Sequence, residues 1–194
     1  YEVGPEEAIR RFSSVELGKL ITGLQEQLTT SEYEKIKYAV VQSGVGLDLG
    51  NKKNTGTFSQ SRMSDMITVC NKYGLSSKEH NGDYLTPEQI KTRYDLGLSA
   101  INIAPEFGQI ETQCYIDKMS ENDMEVFYRL CYNSGKWKKW VSPEFKPSNN
   151  KTKLVSICGH YVFAEEAFND IKPDIDSIVQ EKIVNRLTGI LNEQ

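Results

Sequence analysis

The chain has 194 residues, 38% of them apolar and 26% charged, with a formal net charge of −4. That composition fits one folded domain with a real core and excludes a disordered chain. A mildly acidic chain without a basic stripe is a poor match for nucleic acid, and no apolar run approaches the roughly 20 residues needed to cross a bilayer. The start, Tyr1-Glu2-Val3-Gly4-Pro5, has none of the pattern of a signal peptide. Lys136, Lys138 and Lys139 around Trp137 and Trp140 form the one basic cluster, which reads as a solvated helix end.

Taken in chain order, Tyr1-Glu2-Val3 reads as the end of a strand. Ser13-Ser14-Val15-Glu16 is a capping box, followed at helical spacing by Leu17, Leu20, Ile21, Leu24 and Leu28. Ile36 to Gln42 is apolar on both faces and reads as a buried strand. Ser61 to Tyr73, with Met63, Met66, Ile67 and Cys70, predicts a helix closed by Gly74. Leu75 to His80 reads as a further strand, and Thr86-Pro87 starts a helix running to about Leu96. Ser99 to Ala104 is the next strand, and one long helix is expected from about Gln109 to Tyr132. Residues 135–153 shift to Lys, Pro, Ser and Asn and read as an irregular linker. A short apolar piece, Leu154 to Phe163, precedes a terminal helix capped by Asp176, with Ile178, Val179, Ile183, Leu187, Ile190 and Leu191 on one face.

Four repeats of β-α imply a parallel sheet with right-handed crossovers. A closed eight-stranded barrel takes about 250 residues. Four units beginning at a strand therefore suggest the second half of a (β/α)8 barrel over residues 1–134, with a linker and helical extension over 135–194. An open four-stranded α/β sheet is the alternative. The cysteines, at 70, 114, 131 and 158, form no Cys-x-x-Cys pair, and a reducing cytoplasm without disulfides is expected.

In parallel α/β folds the site forms beyond the C-terminal ends of the strands, and here those loops are polar. Gln42-Ser43-Gly44 opens a long Gly-rich segment reaching Asn54-Thr55-Gly56-Thr57. Its backbone N–H groups, with Lys52 or Lys53 nearby, could cradle a phosphate, or the glycines could simply serve turns. It lacks the spacing of a P-loop or a dinucleotide fingerprint, so no nucleotide cofactor is expected. Glu79-His80-x-x-Asp83 is the sharpest constellation. His80 is suited to moving a proton or ligating a divalent metal such as zinc, with Asp83 orienting it or sharing the metal. One His-x-x-Asp does not supply the three protein ligands zinc needs. Glu2, Glu6, Glu7 and Glu106 are candidates for sugar hydroxyls or general-base work. His160, among Tyr161, Val162 and Phe163, reads as a packing residue.

At these residues the chain resembles the Z subunits of tagatose-bisphosphate aldolase. Tyr1-Glu2-Val3-Gly4-x-Glu6 is similar to that family's Tyr-Glu-Val-Gly-Thr-Glu strand, and Val40-Val41-Gln42-x-Gly44 to its Val-Val-Gln-Pro-Gly strand. Glu79-His80-x-x-Asp83-Tyr84-x-Thr86-Pro87 resembles its Glu-Ala-His-x-x-Asp-Tyr-x-Thr-Pro segment, with the glutamate shifted by one. Ile103-Ala104-Pro105 matches a Val-Gly-Pro strand end. The motifs fall in order along the whole chain. Ser43 stands where the family has proline, and Phe107-Gly108 departs from the usual continuation.

The resemblance implies an aldolase-type barrel with a helical C-terminal extension. It implies a role in cleaving a ketose bisphosphate to triose phosphates, with Glu79, His80, Asp83 and Glu106 as the catalytic candidates. Substrate contacts would come from Glu2, Glu6, Gln42, Ser43, Gly44, Asn54, Thr55 and Gly56. The implied partners are a phosphorylated ketose, a zinc-dependent catalytic aldolase subunit and further copies in an oligomer. Two alternatives stay open: a non-catalytic stabilising subunit, and an epimerase or isomerase on the same barrel.

Overall fold

The structure, a computed structural model, describes residues 1–4 and 11–192. It divides into two compact units, one of residues 1–47 and 54–103, the other of residues 48–53 and 104–192. The expected boundary after residue 134 falls inside the second unit.

The first unit is built on a parallel sheet of β1 (Glu2–Val3), β2 (Tyr38–Val41), β5 (Ser76–Glu79) and β6 (Ala100–Ile101), in the order β1-β2-β5-β6. Val3 pairs with Ala39, Val41 with Glu79, and Glu79 with Ile101. Between these strands run α1 (Ser14–Gln27), α2 (Thr30–Tyr33), α3 (Gln60–Lys72) and α4 (Pro87–Asp95). The capping residues act as their side chains dictate. The Ser13 hydroxyl accepts from the Glu16 N–H while Glu16 reaches back, and Thr86 with Gln89 repeats the arrangement over Pro87. Leu17 and Ile21 of α1, Met63, Met66, Ile67 and Cys70 of α3, and Ala39 and Val41 of β2 close into one buried cluster. The Leu, Ile, Met and Val side chains among them each contribute about 1.5–3 kcal/mol of apolar burial. Because side chains alternate along a strand, this cluster fixes which face of the sheet the helices occupy.

The Gly-rich segment expected as a loop is a β-hairpin, β3 (Val45–Asp48) and β4 (Lys53–Gly56), the second, two-stranded sheet. Gly44 and Gly56 hold φ of 98° and 76°, and a Cβ on either would run into a carbonyl oxygen of the facing segment. The glycines here serve close backbone approach.

The second unit is helical: α5 (Pro105–Ile116), α6 (Glu121–Ser134), α7 (Lys151–Cys158), α8 (Glu166–Asn169) and α9 (Asp176–Leu191). The single long helix expected from Gln109 to Tyr132 is α5 and α6. Pro105 starts the first of them, and Ser120 caps the second by accepting from the Asp123 N–H. Tyr115, Phe127, Phe163 and Phe168 pack with ring centroids 4.9–6.5 Å apart, which joins α5 and α6 to the chain beyond residue 150. The 135–153 segment carries two 3-10 turns, Lys136–Trp140 and Pro147–Asn149. In α9 the cap position belongs to Ile175, and Asp176 is the first helical residue. Val179 and Ile190 are buried, while Leu187 and Leu191 of the expected apolar face are exposed. All four cysteines are free thiols and buried. Among the described residues no helix is long and apolar enough to cross a membrane.

Candidate functional site

The pleat of β5 sorts the chemistry of the first unit. Val41, facing α1 and α3, pairs in register with Glu79. Glu79 therefore points toward the helices, while Lys78 and His80 on either side of it point to the opposite face. The constellation Glu79-His80-x-x-Asp83 is contiguous in sequence and divided in space.

On the helix-bearing face Glu79 is 1% exposed. One carboxylate oxygen accepts from the Ser43 hydroxyl, and the other lies 2.5 Å from Arg93 Nε. Arg93 is itself only 2% exposed. Its Nη1 donates to the Gln89 carbonyl at 2.8 Å, and its guanidinium stacks 4.2 Å from the Phe58 ring. Its Nη2 has no hydrogen-bond partner among the described residues. Burial pushes the Glu79 carboxyl above the usual range, against the pull of Arg93 and Ser43. This group is a buried structural pair joining α4 to the ends of β2 and β5. Arg93 was not among the expected site residues. Its signal is its place three residues after Ile90, on the one buried face of α4.

On the opposite face, Glu2 of β1 meets two partners, Lys78 of β5 and His80 just beyond its end. Lys78 Nζ lies 2.5 Å from Glu2 Oε2, and His80 Nε2 lies 2.6 Å from Glu2 Oε1. Lys78 Nζ also sits 5.5 Å from the centre of the Tyr38 ring. The three side chains are 21–29% exposed, against 1–2% for Glu79 and Arg93 on the other face. Partial burial raises the Glu2 carboxyl, but hydrogen bonds and charge from Lys78 and His80 outweigh it and hold the group below its ordinary value. Lys78 was not among the expected site residues either. Its signal is the period-two placement with His80 on one strand face.

Beyond β5 the chain is held in an unusual path. Asn81 and Tyr84 have φ of 62° and 60°, the left-handed region a tyrosine rarely enters. Gly82 donates to the Asn102 carbonyl at 2.9 Å, where a side chain would strike Ile101. Asn54 Nδ2 reaches from β4 to the carbonyls of Asn81 and Asp83, at 2.8 and 3.4 Å. Asn54 thus anchors this loop through backbone atoms. Asp83 is buried within it. Strain of this kind collects beside functional sites.

The other candidates have protein partners. Gln42 is buried, its Oε1 accepting from Phe12 N at 2.6 Å and Arg62 Nη2 at 2.8 Å. The Ser43 hydroxyl is engaged by Glu79, and Gly44, Thr55 and Gly56 form the hairpin. Glu106 belongs to the second unit, where Arg186 grips it through Nε at 2.6 Å and Nη2 at 3.2 Å. His160, also in that unit, is held near pKa 4 by burial and by Lys139, so it is neutral near pH 7 and packs against Tyr161. Glu6 and Glu7 lie outside the described residues. Zinc needs at least three protein ligands, and among the described residues no three His, Cys, Asp or Glu side chains are grouped to hold a metal. Among the described residues, the groups that meet at Glu2, His80 and Lys78 do not make such a set.

No family model and no curated protein matches the chain. Among solved structures it is similar to a probable tagatose 6 phosphate kinase from Sinorhizobium meliloti 1021, with 15% sequence identity and a TM-score of 0.66. The match covers 88% of this chain and 48% of that one, so the chain spans about half the length of the structure it resembles. At that identity the likeness is one of fold: an α/β domain with a parallel sheet.

Proposed function

We propose that this chain is the second half of an aldolase-type (β/α)8 barrel, with its helical extension, and binds a phosphorylated ketose on the sheet face that carries Glu2, Lys78 and His80. Two features of the sheet support the barrel reading. The strands follow chain order without reversal, and α1, α3 and Arg93 of α4 all reach the same face. A doubly wound sheet reverses its order and carries helices on both faces.

The observation that carries the function is the carboxylate of Glu2 held between Lys78 and His80. A carboxylate that orients an imidazole makes it a directed proton carrier, and a neighbouring ammonium stabilises the negative charge of a phosphate or a developing enolate. These are the groups required for proton transfer on a sugar phosphate, in a reducing cytoplasm. Glu79 and Asp83 then serve the framework. A second reading, a non-catalytic subunit supporting a metal-dependent aldolase chain, is favoured by the lack of a fitting metal-ligand group among the described residues.

The test is a ligand-induced thermal shift on the full-length protein with tagatose bisphosphate, fructose bisphosphate and dihydroxyacetone phosphate, for wild type and His80→Ala. A shift that disappears in the variant supports the site. A folded protein that shifts with none of the three ligands refutes it, and co-purification with a separate aldolase chain then favours the subunit reading.

A further inference from the structure

Lys78 lies mid-sheet on β5, paired in register with Val40 and Ala100, so its backbone is fixed on both sides. Its partner Glu2 comes from β1, two strands away, a separation of roughly 9–10 Å between backbones. The two long side chains therefore converge over β2, with Tyr38 beneath the ammonium and His80 on the far oxygen of the same carboxylate. An isolated Lys–Glu pair near a surface adds little stability, too little to explain three converging groups.

We propose that Lys78 is a catalytic nucleophile that condenses with the carbonyl of a keto-sugar or triose phosphate to form a protonated imine. This rests on the reading of the same face as a phosphosugar site. Amines on rigid strands beside an acid–base group are suited to such covalent catalysis. The Lys78 ammonium first passes a proton to Glu2, and the freed nitrogen pair forms the C–N bond. The carbonyl π pair moves to oxygen, which takes the proton back from Glu2. The resulting carbinolamine gives a second N–H proton, again through Glu2, to that oxygen. Water then leaves as the C=N bond forms. Both protons lost by Nζ depart in that water, and an ammonium becomes an iminium of the same charge. The Glu2 carboxylate consequently faces one positive charge before and after the step, and holds a proton only in passing. No oxidant, metal or cofactor enters the balance.

The experiment incubates the full-length protein with dihydroxyacetone phosphate, adds sodium borohydride, and reads intact mass and peptide maps. The expected result is one reduced triose phosphate per chain on the peptide containing Lys78. The adduct should be lost in both Lys78→Arg and Lys78→Met, with folding of each variant checked by its melting curve. Peptide mapping of the wild type needs no variant and decides the matter if both variants unfold. An adduct on another lysine, or none at all, overturns the proposal. The thermal shift of the wild type with the same ligand separates the two failures. A shift without an adduct leaves the phosphosugar site standing and removes only the imine, whereas neither signal removes both.

Discussion

The two faces of one short strand carry ion pairs of similar geometry and different consequence. On the helix-bearing face, Glu79 and Arg93 meet at 2.5 Å with 1% and 2% of their side-chain surface exposed. On the opposite face, Glu2 and Lys78 meet at the same 2.5 Å, with 28% and 21% exposed. Water makes the difference. A buried pair is costly to break because the survivor keeps its charge out of water, whereas a half-exposed pair is cheap to break and free to exchange its partner for a ligand. The first pair ties α4 to the sheet, and the second is the one proposed above to meet the ligand.

The sharpest way to break that comparison is to remove one member of the buried pair. Arg93→Ala strands Glu79 without its cation and should cost about 3–5 kcal/mol of unfolding free energy, read by urea denaturation. A loss under about 1 kcal/mol would show that the pair is not structural. Ser43→Ala removes a buried hydroxyl from the same carboxylate and should cost about 1–3 kcal/mol in the same assay. On the opposite face, Glu2→Ala and His80→Ala should each change stability by less than about 1 kcal/mol, while abolishing the thermal shift with phosphorylated ketoses.

The smallest effects are in pH dependence, and there the two glutamates should differ in sign. Burial raises the Glu79 carboxyl above 4.5, so the folded chain keeps its proton after the unfolded chain has lost it. Relative to Glu79→Gln, the wild type should lose stability as pH rises from about 4.5 through the folded value, and gain none above it. Glu2 is held below 4.5 despite its burial, so its contribution should be present above that pH and fade as pH falls below it, relative to Glu2→Gln. Melting curves between about pH 3 and about pH 8 read the sign of both differences.

Much of the fold was legible in the sequence because its signals are local. The capping box at Ser13 and the Thr86-Pro87 pair mark helix starts through the chemistry of two or three neighbouring residues, and both helices begin there. The β-hairpin was not legible, since Lys53-Asn54-Thr55-Gly56 has few strand-forming residues and pairs only through its glycine-permitted approach to Gly44. The division of the site was hidden for another reason. A strand's parity is readable when apolar and polar residues alternate, and Ser76-Ser77-Lys78-Glu79 has no apolar residue at all. Ala39-Val40-Val41 has no polar one. With neither strand declaring its buried face, Glu79 and His80 looked like neighbours in a site, when only packing against α1 and α3 shows that they part. Arg93 and Arg186 were missed because their carboxylate partners, Glu79 and Glu106, lie 14 and 80 residues away.

The central question is which face of the sheet binds the proposed ligand. The direct measurement is the dihydroxyacetone phosphate thermal shift of the full-length protein in three forms: wild type, His80→Ala and Glu79→Gln. The shift should be lost in His80→Ala and retained in Glu79→Gln, since the latter keeps a hydrogen-bonding group opposite Arg93 without touching the opposite face. A shift retained in His80→Ala and lost in a folded Glu79→Gln would contradict the assignment and move the site to the helix-bearing side.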